Sequence, residues 1–207
     1  MTLEDHRVWI GTWNVNGQLA RDDVTKWIHG TSELNTDMYV LGFEEMVPLN
    51  PWTILFERGV ELRREKWIQL VLEVLRSIRQ MQFICLSSVS MVGLFLAVFV
   101  PLSKRYLYSN ISTGKVATGM YGFTGNKGAV SIRLHIHSSP FVFICSHLTP
   151  HPWYITERNH DFHKFAPIMR VICRIWDELL FDDKPLSPTD SIIWVDFLSV
   201  FDTRWVI

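Results

Sequence analysis

The chain has few cysteines and no surplus of charge of either sign. Its three cysteines, Cys85, Cys145 and Cys173, are odd in number and far apart, which excludes a dense disulfide framework and favours a reducing compartment. Lysine and arginine number 20 against 21 aspartate and glutamate residues, a net charge of -1. Without a positive surplus the chain has no bulk attraction for nucleic acid or an anionic membrane, so any polyanion would be held by a local site.

Long apolar runs are also missing. The most apolar stretch, Val89–Leu102, covers about 14 residues, fewer than the ~18 to 20 that a membrane-spanning helix needs. Its β-branched and aromatic residues favour a buried strand instead. The N-terminal sequence MTLEDHRVWIG carries charge where a signal peptide needs an apolar core. Since 48% of the 207 residues are hydrophobic, we expect one cytoplasmic globular domain or a large part of one.

The hydrophobic pattern predicts many strands and two long helical segments. Strands are expected at Arg7–Trp13, Met38–Phe43, Ile84–Ser88, Val89–Val100, Lys104–Ser112, Ala129–His137, Phe141–Ser146 and Ile192–Val195, and helices at Arg21–Gly30, Glu57–Gln80 and Thr156–Leu180. Polar residues repeatedly follow the point where an apolar strand stops. This arrangement is typical of a β-sandwich flanked by helices, in which the strand ends build one active-site mouth.

Two of these strand ends carry oxygen ligands. In GTWNVNGQ, Gly11–Gln18, strand alternation predicts that Asn14 and Asn16 emerge together on one face. Glu44 and Glu45 follow the second strand, and since neighbours in a strand point to opposite faces, only one of them is expected to face the mouth. A carboxylate beside amide oxygens suits Mg²⁺. A solvated pair of glutamates is the alternative interpretation.

Two further motifs offer groups for an anionic ligand. TGNKGAVSIRL, Thr124–Leu134, predicts a turn at Gly125–Gly128 in which the glycines permit close backbone approach and Lys127 supplies a positive charge. A plain hairpin turn is the alternative. FICSHLTPH ends a buried strand on Ser146 and His147, where an imidazolium could donate a hydrogen bond to a phosphoryl oxygen. A structural histidine is the alternative there.

Taken in order, GTWNVNGQ, VLGFEEMVPLN, TGNKGAVSIRL and CSHLTPH followed by ERNHDF resemble the inositol polyphosphate 5-phosphatase family. The resemblance covers Val8 to about Asp161 and runs more weakly to Trp194. It implies an α+β fold, the four-layer α/β/β/α sandwich of the metal-dependent exonuclease-endonuclease-phosphatase type, incomplete at the C-terminus. Residues 1–207 would then be the N-terminal part of one catalytic domain, family-like over 7–195 with a divergent tail at 196–207.

The resemblance also implies an activity and a set of residue roles. The activity is Mg²⁺-dependent removal of the 5-phosphate from phosphoinositides of the phosphatidylinositol 4,5-bisphosphate class or from soluble inositol polyphosphates, by an activated water. The expected setting is the cytoplasm with peripheral contact to membranes, without nucleic acid. The implied catalytic residues are Asn14, Asn16, His147 and Asp196, the metal ligands Glu45 and Asn16, and the substrate-binding residues Asn126, Lys127, His151, Arg158 and Asn159.

The chain departs from the family pattern in two places that bear on activity. Glu44 stands where the family usually has glutamine, and if it points inward its charge would repel an anionic substrate. After Trp194 the family continues Gly-Asp-Phe/Leu-Asn, but Asp196 takes the Asp position only with one glycine deleted, and Leu198 then replaces the Asn. The family's PAWCDR-like and Ser-Asp-His motifs do not follow.

These departures leave alternatives open. We expect an incomplete product with low or no activity, because the loss of general-base assistance typically costs ~10² to 10⁴ in rate. A non-catalytic phosphoinositide-binding or regulatory truncated isoform is the main alternative to the enzyme. A nuclease or sphingomyelinase of the same fold is a further one, since metal and histidine chemistry is shared across the fold.

Overall fold

The computed structural model describes residues 6–18, 23–29, 36–47, 60–119, 124–147, 190–196 and 203–206. Within the strands, the backbone alone is described at 118–119, 124–127, 194–196 and 203–206. The strands are β1 Arg7–Asn14, β2 Met38–Glu44, β3 Phe83–Met91, β4 Leu94–Pro101, β5 Tyr108–Gly119, β6 Thr124–Ile136, β7 Ser139–His147, β8 Ser191–Asp196 and β9 Thr203–Val206. The helices are α1 Asp23–His29, α2 Val60–Arg79 and a 3₁₀ helix at Leu102–Leu107. The helix expected at Thr156–Leu180 lies outside the described residues.

The strands form two sheets. The first sheet has the order β3-β4-β2-β1-β9 and the second the order β5-β6-β7-β8. Strands β1 and β2 are parallel, and so are β7 and β8, while the other neighbouring pairs are antiparallel. Each sheet therefore gathers the C-terminal ends of one parallel pair at a single edge, which is where the polar strand ends of the sequence fall.

One apolar core lies between the two sheets. Along each central strand every second side chain points into this space, as the pleat requires. The first sheet contributes Val8, Ile10, Met38, Val40, Leu94, Leu96, Val98 and Val100, and the second Val130, Ile132, Leu134, Phe141, Phe143 and Cys145. The predicted β-sandwich is confirmed by this layer.

A second core lies between the first sheet and the two α-helices. It consists of the alternate side chains of the same strands, Trp9, Tyr39, Leu41, Phe43, Phe95, Ala97 and Phe99, packed against Val24, Ile28, Trp67, Val71 and Leu75 of the helices. Aromatic rings dominate the contact: the centroids of Phe43 and Trp67 are 4.6 Å apart. The helix expected at Glu57–Gln80 is thereby confirmed over Val60–Arg79. No described helix is long and apolar enough to cross a membrane.

Three local predictions were wrong. The hairpin expected to turn between Ser88 and Val89 turns instead at Val92 and Gly93, because alternation continues unbroken through Val89 and Met91 into the core between the sheets. The strand expected from Lys104 begins only at Tyr108, after a 3₁₀ helix.

The third concerns the glycine-rich motif. The turn expected at Gly125–Gly128 is replaced by a continuation of β6, in which Gly128 is opposite Ala117 and Thr124 is opposite Gly119, with a register shift between these two pairs. Gly128 has φ +143°, and a Cβ at this position would lie 2.0 Å from the carbonyl oxygen of Val116, so glycine is required by the strand pairing itself.

Strand β9 was not predicted either. It falls in the divergent tail at 196–207, and it pairs antiparallel with β1, from Arg7 opposite Val206 to Ile10 opposite Thr203. A four-residue strand has too short a pattern to be distinguished from loop by sequence alone.

A polar cluster lies at the start of β1 and β2, the end opposite to the polar strand ends. Nε2 of His6 is 3.0 Å from the hydroxyl of Tyr108, which also donates to the carbonyl of Asp37 at 3.3 Å. The Asp37 carboxylate accepts from the backbone N–H of Arg7 at 2.9 Å and from Lys104. His6 and Tyr108 are both buried. The cluster therefore joins the first sheet to the beginning of the second through hydrogen bonds rather than apolar contacts.

This cluster predicts a pH-dependent stability. Burial lowers the pKa of His6 below its ordinary value of 6.5; the charge of Asp37 opposes the shift, and the charges of Lys104 and His137 add to it. The unfolded chain then binds its proton before the native chain, so the free energy of unfolding should fall as the pH drops below about 6.5. The variant His6→Gln should lose part of this dependence, up to ~1.4 kcal/mol per pH unit, in urea denaturation between about pH 7.5 and 5.5.

The control is His135→Gln, which removes a histidine outside the cluster and should retain the steeper pH dependence of the unsubstituted chain. Equal slopes for His6→Gln and the unsubstituted chain would show that His6 does not govern the acid limb of stability.

Candidate active site

Strand pairing brings the polar motifs to one end of the sandwich. Three pairs of residues are opposite each other in the ladders: Asn14 and Glu44, Gly128 and His147, and Ser146 and Asp196. Two of these pairs end a parallel strand pair, one in each sheet. The residues of these pairs run from Asn14 near the start of the sequence to Asp196 near its end, so it is the tertiary fold that makes them neighbours.

The two sheets approach each other closely just before this end. A Cβ on Gly42 would lie 2.8 Å from Sγ of Cys145, which belongs to the opposite sheet. Glu44 and His147 are each two residues further along the same two strands and therefore point into the same space. Their side chains are almost fully buried, and Nε2 of His147 is 3.8 Å from Oε2 of Glu44. The missing side chain at Gly42 thus permits the approach that juxtaposes the acid and the imidazole.

Glu45 reaches the same histidine by a different route. Its Oε1 is 3.7 Å from Nε2 of His147, and its side chain is 28% exposed. Strand alternation would turn Glu45 away from Glu44, but β2 ends at Glu44 and Glu45 has φ +52°, in the left-handed region. The prediction that only one of the two glutamates faces the mouth was therefore wrong, because the chain leaves the strand conformation between them.

The segments that follow β1 and β2 are bonded to each other. The backbone N–H of Val15 donates to the carbonyl of Glu44 at 2.9 Å, and that of Gly17 to the carbonyl of Glu45 at 2.6 Å. Strand β1 stops at Asn14, whose Oδ1 accepts a hydrogen bond from the backbone N–H of Asn16 at 2.9 Å. Asn14 and Asn16 are thus neighbours through a side-chain-closed turn, not through the strand alternation that the sequence predicted.

The first turn of α2 contributes a residue that the sequence analysis did not single out. Nη1 of Arg63 donates to the carbonyls of Gly17 at 2.8 Å and of Met46 at 3.1 Å. These carbonyls directly follow Asn16 and Glu45 in the chain. Alternation along β2 could have identified Glu44 as an inward-facing side chain. Nothing in the local sequence distinguishes Arg63 from the other cations of α2.

The remaining predicted site residues are described only in part. Asn126 and Lys127 belong to β6 by their backbone, close in sequence to Gly128, and Asp196 ends β8. Their side chains, and His151, Arg158 and Asn159 altogether, lie outside the described residues. The site that the structure describes therefore consists of Asn14, Asn16, Glu44, Glu45 and His147, with Arg63 behind it.

Two carboxylates converging on one imidazole give this end of the sandwich an acidic character. Within the part of the chain that the structure describes, no three His, Cys, Asp or Glu side chains are grouped as a complete metal-binding set. Mg²⁺ does not require one, because it retains several waters and takes one or two protein carboxylates. The chemistry of the donors, carboxylate and amide oxygens beside a histidine, suits a hard divalent cation and a phosphate ester.

Comparison with known proteins finds a family model that matches most of the chain. The family described as Endonuclease/Exonuclease/phosphatase family 2 matches residues 11–197. Synaptojanin-2 of Rattus norvegicus is 33% identical over 178 residues, in a match that covers 77% of this chain and 12% of the rat protein. Type I inositol polyphosphate 5-phosphatase 8 of Arabidopsis thaliana is 30% identical over 184 residues, 70% of this chain and 37% of the plant protein.

A solved structure agrees with these relatives. The inositol polyphosphate 5-phosphatase domain of SPsynaptojanin, crystallised in complex with inositol (1,4)-bisphosphate and calcium ion, superposes with a TM-score of 0.72 at 25% identity. The superposition covers 93% of this chain and 52% of that one. The predicted fold and the resemblance to inositol polyphosphate 5-phosphatases are thereby confirmed. The chain spans about half of that domain and less than half of either curated relative.

The Gly42 contact predicts a specific coupling between the sheets. Gly42→Ala should lower the free energy of unfolding by about 1 to 3 kcal/mol, because its Cβ would overlap Sγ of Cys145. In the double variant with Cys145→Ala the overlap is removed, since the Cβ of residue 145 would be 3.4 Å away. The two substitutions should then be less than additive, with a coupling of ~0.5 kcal/mol or more in urea denaturation. Additive effects would mean that the sheets are not in contact here.

Proposed function

Because the chain belongs to the endonuclease/exonuclease/phosphatase family, we propose that it is a phosphoric monoester hydrolase that removes the 5-phosphate from phosphoinositides or soluble inositol polyphosphates. The observation that carries the proposal is the convergence of Glu44 and Glu45 on His147 within 3.8 Å. Two relatives support the substrate class: the plant protein and the crystallised domain are both named as inositol polyphosphate 5-phosphatases. Inositol (1,4)-bisphosphate, bound in the related crystal structure, is what remains of the 1,4,5-trisphosphate after the 5-phosphate leaves.

Glu45 and Asn16 are the proposed ligands of a Mg²⁺ ion. The fit rests on the hard oxygen donors, on the partial exposure of Glu45, and on the second carboxylate of Glu44 nearby, which favours a cation at this place. When bound, the ion supplies charge neutralisation at the phosphoryl group and its leaving oxygen. The bonds between the loops after β1 and β2 keep the two ligands side by side.

His147 is the proposed donor to the phosphate under attack. It ends β7 with its ring nearly buried between the sheets, so a phosphate reaching Nε2 would leave bulk water, where a hydrogen bond to developing charge is stronger. Asn14 is proposed to orient the same phosphate. The other proposed roles are catalytic for Asp196 and substrate-binding for Asn126, Lys127, His151, Arg158 and Asn159, on the resemblance of their motifs.

The proposal extends to the setting of the reaction. Residues 7–195 would form the N-terminal part of one catalytic domain, in agreement with the family match over 11–197. The substrate would be met in the cytoplasm, with peripheral contact to a membrane where it is a lipid. A net charge of -1 gives the chain no overall attraction for nucleic acid, which weighs against a nuclease of this fold.

One observation favours a second candidate, a non-catalytic phosphoinositide-binding form. Glu44 stands where the resembled family usually has glutamine, and it points inward with its carboxylate fully buried beside His147. An additional negative charge there repels the phosphate that is to be removed. Because the repulsion falls with distance, it weakens turnover more than it weakens binding of the substrate's other phosphates. The two candidates differ in whether phosphate is released.

The test is phosphate release from vesicles containing phosphatidylinositol 4,5-bisphosphate and, separately, from inositol 1,4,5-trisphosphate, with Mg²⁺. We expect slow release of the 5-phosphate, because the departures from the family pattern lower the activity, and this release should stop when EDTA is added. His147→Gln should lower the rate by about 10² or more, because a positioned proton donor contributes 10² to 10⁴. Lys66→Met, an exposed substitution on α2, is the control and should retain the rate of the unsubstituted chain.

Glu44→Gln separates the two candidates further. If the carboxylate opposes the substrate, this variant should release phosphate faster than the unsubstituted chain. Mg²⁺-dependent binding of the vesicles without release from the unsubstituted chain or from Glu44→Gln would support the binding form and overturn the enzyme.

A further inference from the structure

Arg63 stands behind the candidate site and bonds to both of its loops. The residue lies in the first turn of α2, and its guanidinium is part-buried. One nitrogen, Nη1, donates to the carbonyl of Gly17 after β1 and to the carbonyl of Met46 after β2. The two acceptors are 29 residues apart in sequence and are brought together by the parallel pairing of β1 and β2.

The loops that Arg63 joins have an unfavourable backbone conformation. Asn16 has φ +47° and Glu45 has φ +52°, both in the left-handed region. Asparagine tolerates this region, but for a residue such as glutamate it is unfavourable, because Cβ lies too close to the following carbonyl oxygen. Such conformations persist only where the surrounding structure enforces them. The same two residues are the proposed ligands of the cation, so their backbone geometry decides where the ligand oxygens lie.

Few other described bonds hold this arrangement. The loops are joined to each other by the bonds from Val15 and Gly17 to the carbonyls of Glu44 and Glu45. The N–H of Met46 donates to the carbonyl of Gly93 in the turn between β3 and β4 at 3.0 Å. Arg63 is the described side chain that ties both loops to a helix. The charged, planar guanidinium loses little freedom in making two such bonds.

We propose that Arg63 is a positioning residue, which holds the Asn16 and Glu45 loops in the left-handed conformations that the cation and the phosphate ester require. The role rests on the proposed function of the site. Arg63 would not touch either ligand: its bonds go to the carbonyls of Gly17 and Met46, which are not among the proposed ligands. Its loss should loosen both loops together, while the cores and the strand ladders remain.

The test compares Arg63→Met with Lys66→Met in the 207-residue chain. Both substitutions remove one positive charge from the same helix, but Lys66 is exposed and bonds to neither loop. Hydrogen exchange of the Gly17 and Val15 amides is measured by NMR without metal, and Mg²⁺ affinity by isothermal titration calorimetry. For Arg63→Met we expect at least ~10-fold faster exchange at Gly17 and a ~10- to 100-fold weaker affinity, the usual effect of losing a group that orients metal ligands. Lys66→Met should change neither.

The variant Arg63→Lys is a control for the possibility that Arg63→Met fails to fold. Lysine keeps the charge and can donate to a carbonyl, but its stem is one bond shorter, so it should restore part of the protection at Gly17 and part of the Mg²⁺ affinity. A thermal midpoint measured for each variant separates local loosening from global loss of stability.

The outcomes distinguish this proposal from the proposed function. Unchanged hydrogen exchange at Gly17 in Arg63→Met would overturn the positioning role, whether or not the site binds Mg²⁺. Faster exchange with unchanged Mg²⁺ affinity would reduce Arg63 to a structural role and also overturn the proposal. If the unsubstituted chain binds no Mg²⁺, the proposed function fails, while the exchange data still decide whether Arg63 holds the loops.

Discussion

The close approach of the two sheets at Gly42 and Cys145 is the constraint on which the candidate site depends. A side chain larger than hydrogen at position 42 would lie within 2.8 Å of the cysteine sulfur, and the sheets would have to separate. Two residues further along the strands, the same separation would move Glu44 away from His147. Oε2 of Glu44 and Nε2 of His147 are 3.8 Å apart. Packing of the apolar strands therefore sets the distance between Glu44 and His147. In water these two groups would not associate, because an exposed pair of this kind contributes little to stability.

The site also concentrates negative charge in a buried place. Glu44 is fully buried and Glu45 largely so, and both lie within 4 Å of one imidazole nitrogen. Burying a carboxylate is costly unless a cation or hydrogen bonds compensate it. A cation held by Glu45 would offset that cost and would leave Glu44 as the group that decides how strongly the site attracts or repels an anionic ester. The negative charge of Glu44 is therefore expected to oppose the proposed substrate.

The two ends of the sandwich use polar groups for different purposes. At the starts of β1 and β2, His6, Tyr108, Asp37 and Lys104 bond to one another, so their polar atoms are used within the protein. At the ends of β1, β2 and β7, the candidate site leaves Asn16 exposed and Glu45 partly exposed. The closed cluster holds the sheets together, whereas the open one has donors available to a ligand. Proteins commonly place function where local rules are broken, and the left-handed Asn16 and Glu45 fit that description.

Local sequence determined most of the strands, the two described helices, and the positions of Asn14, Glu45 and His147 at or directly after strand ends, because alternation and helical spacing are properties of neighbouring residues. The family resemblance followed from the same short motifs. Tertiary structure decided the rest. Glu44 and Glu45 both face His147 because β2 ends between them, and Arg63 reaches both loops because β1 and β2 are parallel. The GNKG residues lie in β6 because β5 pairs with this strand at Thr124 and at Gly128. Each of these depends on contacts between residues distant in sequence, and their energies are absent from any local pattern.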